Sequence, residues 1–572
     1  MKDQRSPSQI LFGFLPEQTV DVKGGVWKVK EWRDPFVEHS VHAPALREEL
    51  MRMASPWAAT LKDDGFVADM AKGADVTVVS VSRDNGVQLE PYPRQWVCKD
   101  CKRVHEAPSS PACPCGNTGP RGQMPFVGYH ACGNLTEPTI PRCPTHRQVR
   151  VHWPGTASAR ELRFECPICN AVLQRGLGIK VCGCGSSEPA FRFTVHRAAS
   201  VFTPRSCVIV NPPSREKMRG LTEAGGPARA LRWVVDGMSG KGPTDGLTTR
   251  EALRRELLAK GMPEAVIERM LDAAEQAGAF AEEPIPLDLT PELLRSAEQE
   301  AVTIALSVAD ARATLDQLRE GAAGEPDLLR LYDVTYPRAL RDAGLEAIDL
   351  IDSFPVLSGQ FGYTRDSLVP GEATLKTFRD RRGRYTVYGD LGKTEALLVR
   401  LDPFRVLDWL RRQGFELPEV CSPAQARTEI LRRAVVPAPG DAAGGDDVGA
   451  AVLTLVHSYA HRFIRQAAVF AGIDRAALSE LLVPRHLAFY AYAAPRGDFV
   501  LGGLQAVFEG ELDGLLRSVA FDEHRCALDP GCGKAGGACP ACLHLGEPSC
   551  RCFNRFLSRT TLFGEHGYLR SF

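Results

Sequence analysis

The chain has 572 residues, with 69 Lys and Arg against 70 Asp and Glu, a formal net charge of −1 and 18 cysteines. That length suits roughly three or four domains with real cores. No run of about 18 apolar residues occurs, which excludes a membrane-spanning helix. Met1-Lys2-Asp3-Gln4-Arg5 leads into polar sequence with no apolar stretch and small-residue cleavage site, so a cytoplasmic chain with reduced thiols is expected.

The near-zero net charge hides an asymmetry. Between Pro91 and Gly220 there are 18 Lys and Arg but 7 Asp and Glu, a net of +11, so the rest carries about −12. A basic module of that kind suggests a polyanionic partner, nucleic acid foremost, with a solubilising surface as the plainer explanation.

In chain order the pattern is that of an α+β multidomain protein. Residues 1–90 alternate apolar and polar stretches, as in Gly25-Val26-Trp27-Lys28-Val29-Lys30, which predicts short strands in a mixed domain. Residues 91–213 form the basic cysteine-rich region, again with short strands. Residues 214–344 are helical. Thr248 with Glu251 makes a capping box, and Thr290-Pro291-Glu292 opens a second helix with proline at its first position. Residues 345–435 are mixed α/β, with a strand at Ala396–Leu401 and a helix around Phe404–Arg412. Residues 436–449 include the Gly/Ala/Asp run Ala438–Asp447 and read as a linker. Residues 450–572 begin with an apolar helix over about Val452–Phe470 and end in a second cysteine cluster.

Within 91–213, Cys98-Lys99-Asp100-Cys101 is followed eleven residues later by Cys113-Pro114-Cys115-Gly116. Cys166-Pro167-Ile168-Cys169 is followed twelve residues later by Cys182-Gly183-Cys184-Gly185. Each C-x2-C…C-x-C-G set can surround one tetrahedral metal with four thiolates. Closed thiolate sites favour structural zinc, because no position is left open for water. Ordinary buried thiols or disulfides are the plainer alternative, and the near-repeat of the spacing counts against them. Between these ribbons, His130, Cys132, Cys143 and His146 could complete a further zinc site or be buried groups bonded to backbone. At the C-terminus Cys526, Cys532, Cys539 and Cys542 are the preferred four ligands, with Cys550 as the substitute. The expected cofactor is Zn2+ at about three structural sites, each contributing on the order of 10 kcal/mol to folding.

Catalytic motifs fail on inspection. Gly392-Lys393-Thr394 looks like the end of a phosphate-binding loop, but Val387 stands where its first glycine belongs. His457-Ser458-Tyr459-Ala460-His461 places two imidazoles on one helix face, yet Ser458 occupies the position of a zinc protease's glutamate. These histidines are expected to hydrogen-bond inside a packed helix. Asp522-Glu523-His524 matches a helicase box in composition only. The chain reads as a non-enzyme.

Several motifs together carry a family resemblance. His457–His461, Gly472-Ile473-Asp474 with Leu478 and Glu480, Gly502-Gly503-Leu504 and the closing Cys550-Arg551-Cys552-Phe553-Asn554-Arg555-Phe556-Leu557-Ser558-Arg559 resemble the MZB (Mrr-like-helicase-associated zinc-binding) domain. The version most similar is that of the DrmB family of bacterial DISARM anti-phage systems. Leu11–Pro16 before Val20-Asp21, Phe126–Leu135, Tyr363-Thr364-Arg365 and Thr394–Leu398 leading to Trp409 resemble the family's upstream segments. Departures occur at Asn134 and Thr136-Glu137-Pro138, and at Ser558, where the family usually has aspartate. They mark a divergent relative, from DISARM or a related defence system.

The resemblance implies an MZB-like α/β C-terminal domain in a non-catalytic subunit that partners a superfamily-2 helicase of the same operon and helps it engage DNA. On that reading Lys99, Lys102 and Arg103 around the first ribbon, with Arg160, Arg163 and Arg175 around the second, are the candidate phosphate contacts. The alternatives are a zinc-dependent scaffold that meets only a protein partner, and a nuclease with scattered carboxylates.

Overall fold

The computed structural model describes residues 7–81, 86–154, 159–239, 242–243, 250–276, 287–309, 312–437, 447–494, 501–522, 525–534, 536–546, 549–550, 552 and 554–570. Thr248, nearly all of the expected linker run and Glu523-His524 lie outside them. The chain divides into two compact units, 1–209 with 357–391, and 210–356 with 392–572. Two long strands, Leu345–Thr364 and Tyr385–Leu401, give residues to both units. Sequence segmentation cannot see this, because each boundary falls inside a continuous strand.

The first unit opens with a hairpin. Thr19–Val22 pairs antiparallel with Gly25–Trp32. The connecting Lys23 and Gly24 have φ of 49° and 77°, the left-handed pair that matches strand twist in a two-residue turn. Val87–Pro91 adds the third strand. The expected strand at Gly25–Lys30 therefore forms. The helices Ala43–Ala58 and Phe66–Ala71 go beyond the short strands expected of residues 1–90, although Leu46, Leu50, Ala54 and Trp57 make a buried stripe on the first. Their apolar faces close a core with Val78, Leu357, Phe361, Leu375 and Val387. In this unit Val76–Val79 runs parallel to Tyr385–Tyr388, which places Val387 in a strand rather than a phosphate-binding loop.

The cysteine-rich part of this unit consists of three small three-stranded sheets. The first takes Trp96–Val97, Val104–His105 and Gly122–Gln123. The second takes Phe126–Tyr129, Leu135–Thr136 and Arg192–Val195. The third takes Arg150–His152, Arg163–Glu165 and Val172–Arg175. Their shared core is modest, centred on Met124, Val149, Val151, Leu162 and Phe164.

The second unit has the larger cores. Thr290 caps the helix Pro291–Val308 by accepting from Leu293 N, with Pro291 in its first turn as expected. Asp402 caps Pro403–Arg412 in the same way, and two arginines occupy that helix's last turn. Ala396–Arg400 pairs antiparallel with Ala488–Tyr492, and Leu478–Val483 completes that edge. The helix Val448–Phe470 is capped by Asp447 and buried along nearly its whole length. Its Phe463, Ile464 and Ala467 pack against Phe489, Phe508 and Leu515. Burying each large side chain of that kind stabilises the fold by about 2–3 kcal/mol. Two motifs distant in sequence meet here, since the Glu395 carboxylate accepts from Leu504 N and Gln505 N, each at 3.1 Å.

Candidate metal centres

Two backbone turns build the ligand sites. In the first, a C-x2-C or C-x2-H segment folds so that the residue after the second ligand donates its N–H to the carbonyl of the first ligand. Lys102 donates to Cys98 at 3.1 Å, Arg147 to Cys143 at 2.8 Å and Asn170 to Cys166 at 3.0 Å. The same three donors have φ of 60°, 57° and 57°. In the second, ligand-x-ligand is followed by glycine. Gly116 donates to Cys113 at 2.8 Å and Gly133 to His130 at 2.9 Å. Gly116, Gly133 and Gly185 have φ of 90°, 92° and 78°, a conformation that glycine adopts at no steric cost.

Among the described residues these turns and the rest of the fold assemble five groups of four donors, the donor atoms of each lying within 4.8 Å of one another. Cys98, Cys101, Cys113 and Cys115 form the first, as the spacing predicts. The second ribbon does not form as expected. Cys166 and Cys169 join Cys143 and His146, whereas Cys182 and Cys184 join His130 and Cys132. The third sheet is inserted between the halves of the second, so one site is nested inside the other in sequence. Like turns pair in these two sites, x2 with x2 and x1 with x1. The four residues between the ribbons therefore supply half of two sites rather than one site of their own.

The spacings suit zinc. Bonds of about 2.3 Å to sulfur give tetrahedron edges of about 3.8 Å, and slightly less where nitrogen replaces sulfur. The Sγ atoms of Cys98 and Cys115 are 3.7 Å apart, and those of Cys132 and Cys182 are 3.6 Å apart. His146 Nδ1 lies 3.5 Å from both Cys143 and Cys166, and His130 Nδ1 lies 3.6 Å from Cys184. Electrostatics points the same way. Burial and neighbouring thiols push Cys113 and Cys132 up to about 12. At Cys101, hydrogen bonds from Arg103 outweigh burial and bring the thiol to about 6. At Cys166, the backbone amides of Cys169 and Ile168 do the same, also to about 6. Packed thiolates repel one another, and a divalent cation is what lets all four ionise.

The C-terminal group is Cys526, Cys532, Cys539 and Cys542, the four the sequence favours. Cys539 is 3.5 Å from Cys526 and 3.7 Å from Cys542. Cys550 is not its substitute ligand. It joins His457, His461 and Glu480 in a fifth group. The two histidines thus do more than hydrogen-bond within a packed helix. His461 Nδ1 meets the Leu543 carbonyl at 2.8 Å, while the Nε2 atoms of His457 and His461 lie 3.1 Å and 3.3 Å from the Glu480 carboxylate. Burial works against that carboxylate, yet the two imidazoles hold it well below its usual range. Burial, then the Glu480 charge, pushes the Cys550 thiol well up. In all, fifteen of the 18 cysteines sit in donor groups, at five places rather than the expected three.

Comparison with known proteins adds one match. Residues 6–219 are similar to a family described as a domain of unknown function, DUF8724. The match covers less than half of the chain and includes the first three donor groups. The chain matches no curated protein.

The six basic candidates fall into two sets. Lys99, Lys102, Arg160 and Arg175 are exposed. Arg103 and Arg163 are half-buried and engaged, Arg103 with Gln148 at 2.8 Å and Arg163 with Glu165 at 3.2 Å. Arg163 and Arg175 are cross-strand partners. Like charges directly opposite are unfavourable, and the Glu165 carboxylate at 3.2 Å from Arg163 offsets part of that cost.

Proposed function

We propose that this chain is a non-catalytic, zinc-organised subunit of a bacterial anti-phage defence system, of DISARM type or related to it, that partners a superfamily-2 helicase and assists its hold on DNA. The observation that carries the DNA part is the basic ribbon region, in which Lys99 and Lys102 are exposed at the Cys98–Lys102 ligand turn and Arg160 and Arg175 are exposed on and beside the third sheet. A metal-held turn would present Lys99 and Lys102, and the small sheet Arg175, to phosphates with little ordering cost, a contact independent of base sequence. The helicase and defence parts rest on the motifs shared with MZB and DrmB proteins. Support for a non-catalytic role comes from the two motifs that mimic active sites. Gly392-Lys393-Thr394 lies inside the strand Tyr385–Leu401, and the paired histidines are fully buried.

The test is purification of the full chain from its native operon, followed by DNA-binding titrations at several salt concentrations. A stoichiometric helicase should co-purify, and isolation of the chain alone would contradict the partnership. For the chain itself, replacing Lys99, Lys102, Arg160 and Arg175 with Ala should lower the slope of log K against log salt by about 3 to 4. An unchanged slope would remove these residues from the interface.

A further inference from the structure

The fifth donor group is one that the sequence motifs do not assemble, since of its four members they offer Cys550 alone as a metal ligand, and at a different site. We infer that His457, His461, Glu480 and Cys550 form a closed structural zinc site that clamps the end of the chain to the core of the second unit.

Burial is the first argument. His457, His461 and Glu480 have 0% relative exposure and Cys550 has 2%. A carboxylate taken wholly out of water needs compensation. Both Glu480 oxygens and His461 Nε2 lack a hydrogen-bond partner, and the carboxylate instead faces the Nε2 atoms of His457 and His461 at 3.1 Å and 3.3 Å. These atoms point at one another and at Cys550 Sγ, which lies 3.3 Å from His457 Nε2.

Charge is the second. Two neutral imidazoles, one carboxylate and one thiolate around Zn2+ sum to zero. Four thiolates around the same ion leave a net charge of −2, which suits the half-exposed ribbons better than a core. The donor set is therefore the one a fully buried position can tolerate. An ion pair between Glu480 and one protonated histidine would neutralise the carboxylate alone. It would leave the second imidazole and the thiol converging on the same point for no gain.

The surroundings fix the donors in place. The Leu543 carbonyl at 2.8 Å from His461 Nδ1 selects the tautomer with a free Nε2 lone pair. Asn554 N donates to Cys550 Sγ at 3.2 Å, and the Asn554 side chain is bonded twice to the Leu545 backbone. Glu480 N donates to the Ser549 carbonyl at 3.2 Å. Two histidines and a carboxylate with open positions would suit non-haem iron. Here a thiolate supplies a fourth donor, and the enclosed position suits structure rather than turnover.

The ligands come from the helix Val448–Phe470, the strand Leu478–Val483 and the segment that follows the Cys526–Cys542 group. The site would therefore tie the C-terminal cysteine module to the core helix. It carries no assumption about DNA or a helicase.

The experiment uses crystals of the full, zinc-loaded chain and anomalous difference maps recorded on both sides of the zinc edge. A peak among His457, His461, Glu480 and Cys550 that vanishes below the edge is the expected result. No peak there, while the four cysteine-rich groups show theirs, would overturn the site. A peak that persists below the zinc edge would overturn its assignment to zinc. In solution, Glu480→Gln should lower zinc content from five to four per chain while the others stay filled. Five retained zinc ions would overturn the proposal. The maps use the unaltered chain, so they decide the matter even where the variant fails to fold.

Discussion

Removing zinc with a strong chelator should unfold the ribbon region outright, while the main strands of the second unit stay protected. The expected readout is amide hydrogen exchange. Residues between Trp96 and Val195 should exchange within seconds of chelation, and Ala396–Arg400 and Ala488–Tyr492 should remain slow. The reason lies in what each part buries. The ribbon sheets have strands of only two to four residues, around a core of a few side chains such as Met124, Val151 and Phe164. Small modules of this kind depend on metal, which contributes on the order of 10 kcal/mol per structural site. The second unit instead buries Leu397, Val399, Phe463, Phe489 and Leu515 at no more than 1% exposure. Protection of the ribbons that survives chelation would mean that their donor groups do not hold metal in a structural role.

Arg365→Ala should cost about 3–5 kcal/mol, the largest effect expected from any single change away from the metal ligands. Arg365 is fully buried, at 0% exposure. Its guanidinium donates to the carbonyls of Gly133 at 2.8 Å and Glu17 at 3.0 Å, and to that of Val201. Its charge faces the Glu17 carboxylate at 3.8 Å and lies over the rings of Tyr363 and Phe202 at 4.9 Å and 5.7 Å. Truncation orphans three backbone carbonyls and opens a cavity against two aromatic rings. Arg365→Lys should recover little, because an ammonium cannot reproduce a planar fork that serves three acceptors. Denaturant unfolding of the first unit measures this. A loss below about 1 kcal/mol would show that the carbonyls find other partners. Gly133 follows the ligand Cys132, so the variant should also loosen zinc at that site.

What can be read from the sequence depends on distance along the chain. Cys98 to Cys115 is compact and its ligand set is legible from spacing, whereas in the C-terminal cluster spacing favours Cys526, Cys532, Cys539 and Cys542 but leaves Cys550 as a competitor. The other two ribbon sites are not legible, because linear order favours joining Cys166 and Cys169 with the neighbouring Cys182 and Cys184. The signal that separates them is turn type. Cys143-Pro144-Thr145-His146 and Cys166-Pro167-Ile168-Cys169 share one spacing, and His130-Ala131-Cys132-Gly133 and Cys182-Gly183-Cys184-Gly185 share another. The fifth group is out of reach. Glu480 and Cys550 are separated by seventy residues; both fall among the motifs of the MZB resemblance, but chain order places Cys550 with the Cys526–Cys542 set and gives Glu480 no role as a ligand. Helix starts at Thr290 and Asp402 are legible or nearly so, since capping is local chemistry. The helix Ala43–Ala58 is not, because its buried stripe is diluted by charged residues and interrupted by Pro56.

The nesting of the ribbon sites is the claim on which the zinc assignment of the first unit depends, and zinc content of paired variants tests it most directly. Cys166→Ala with Cys169→Ala should remove one zinc per chain, and Cys182→Ala with Cys184→Ala should remove another. All four substitutions together should remove two. If either pair and the quadruple variant lose the same amount, the four cysteines share one site and the nested arrangement is wrong.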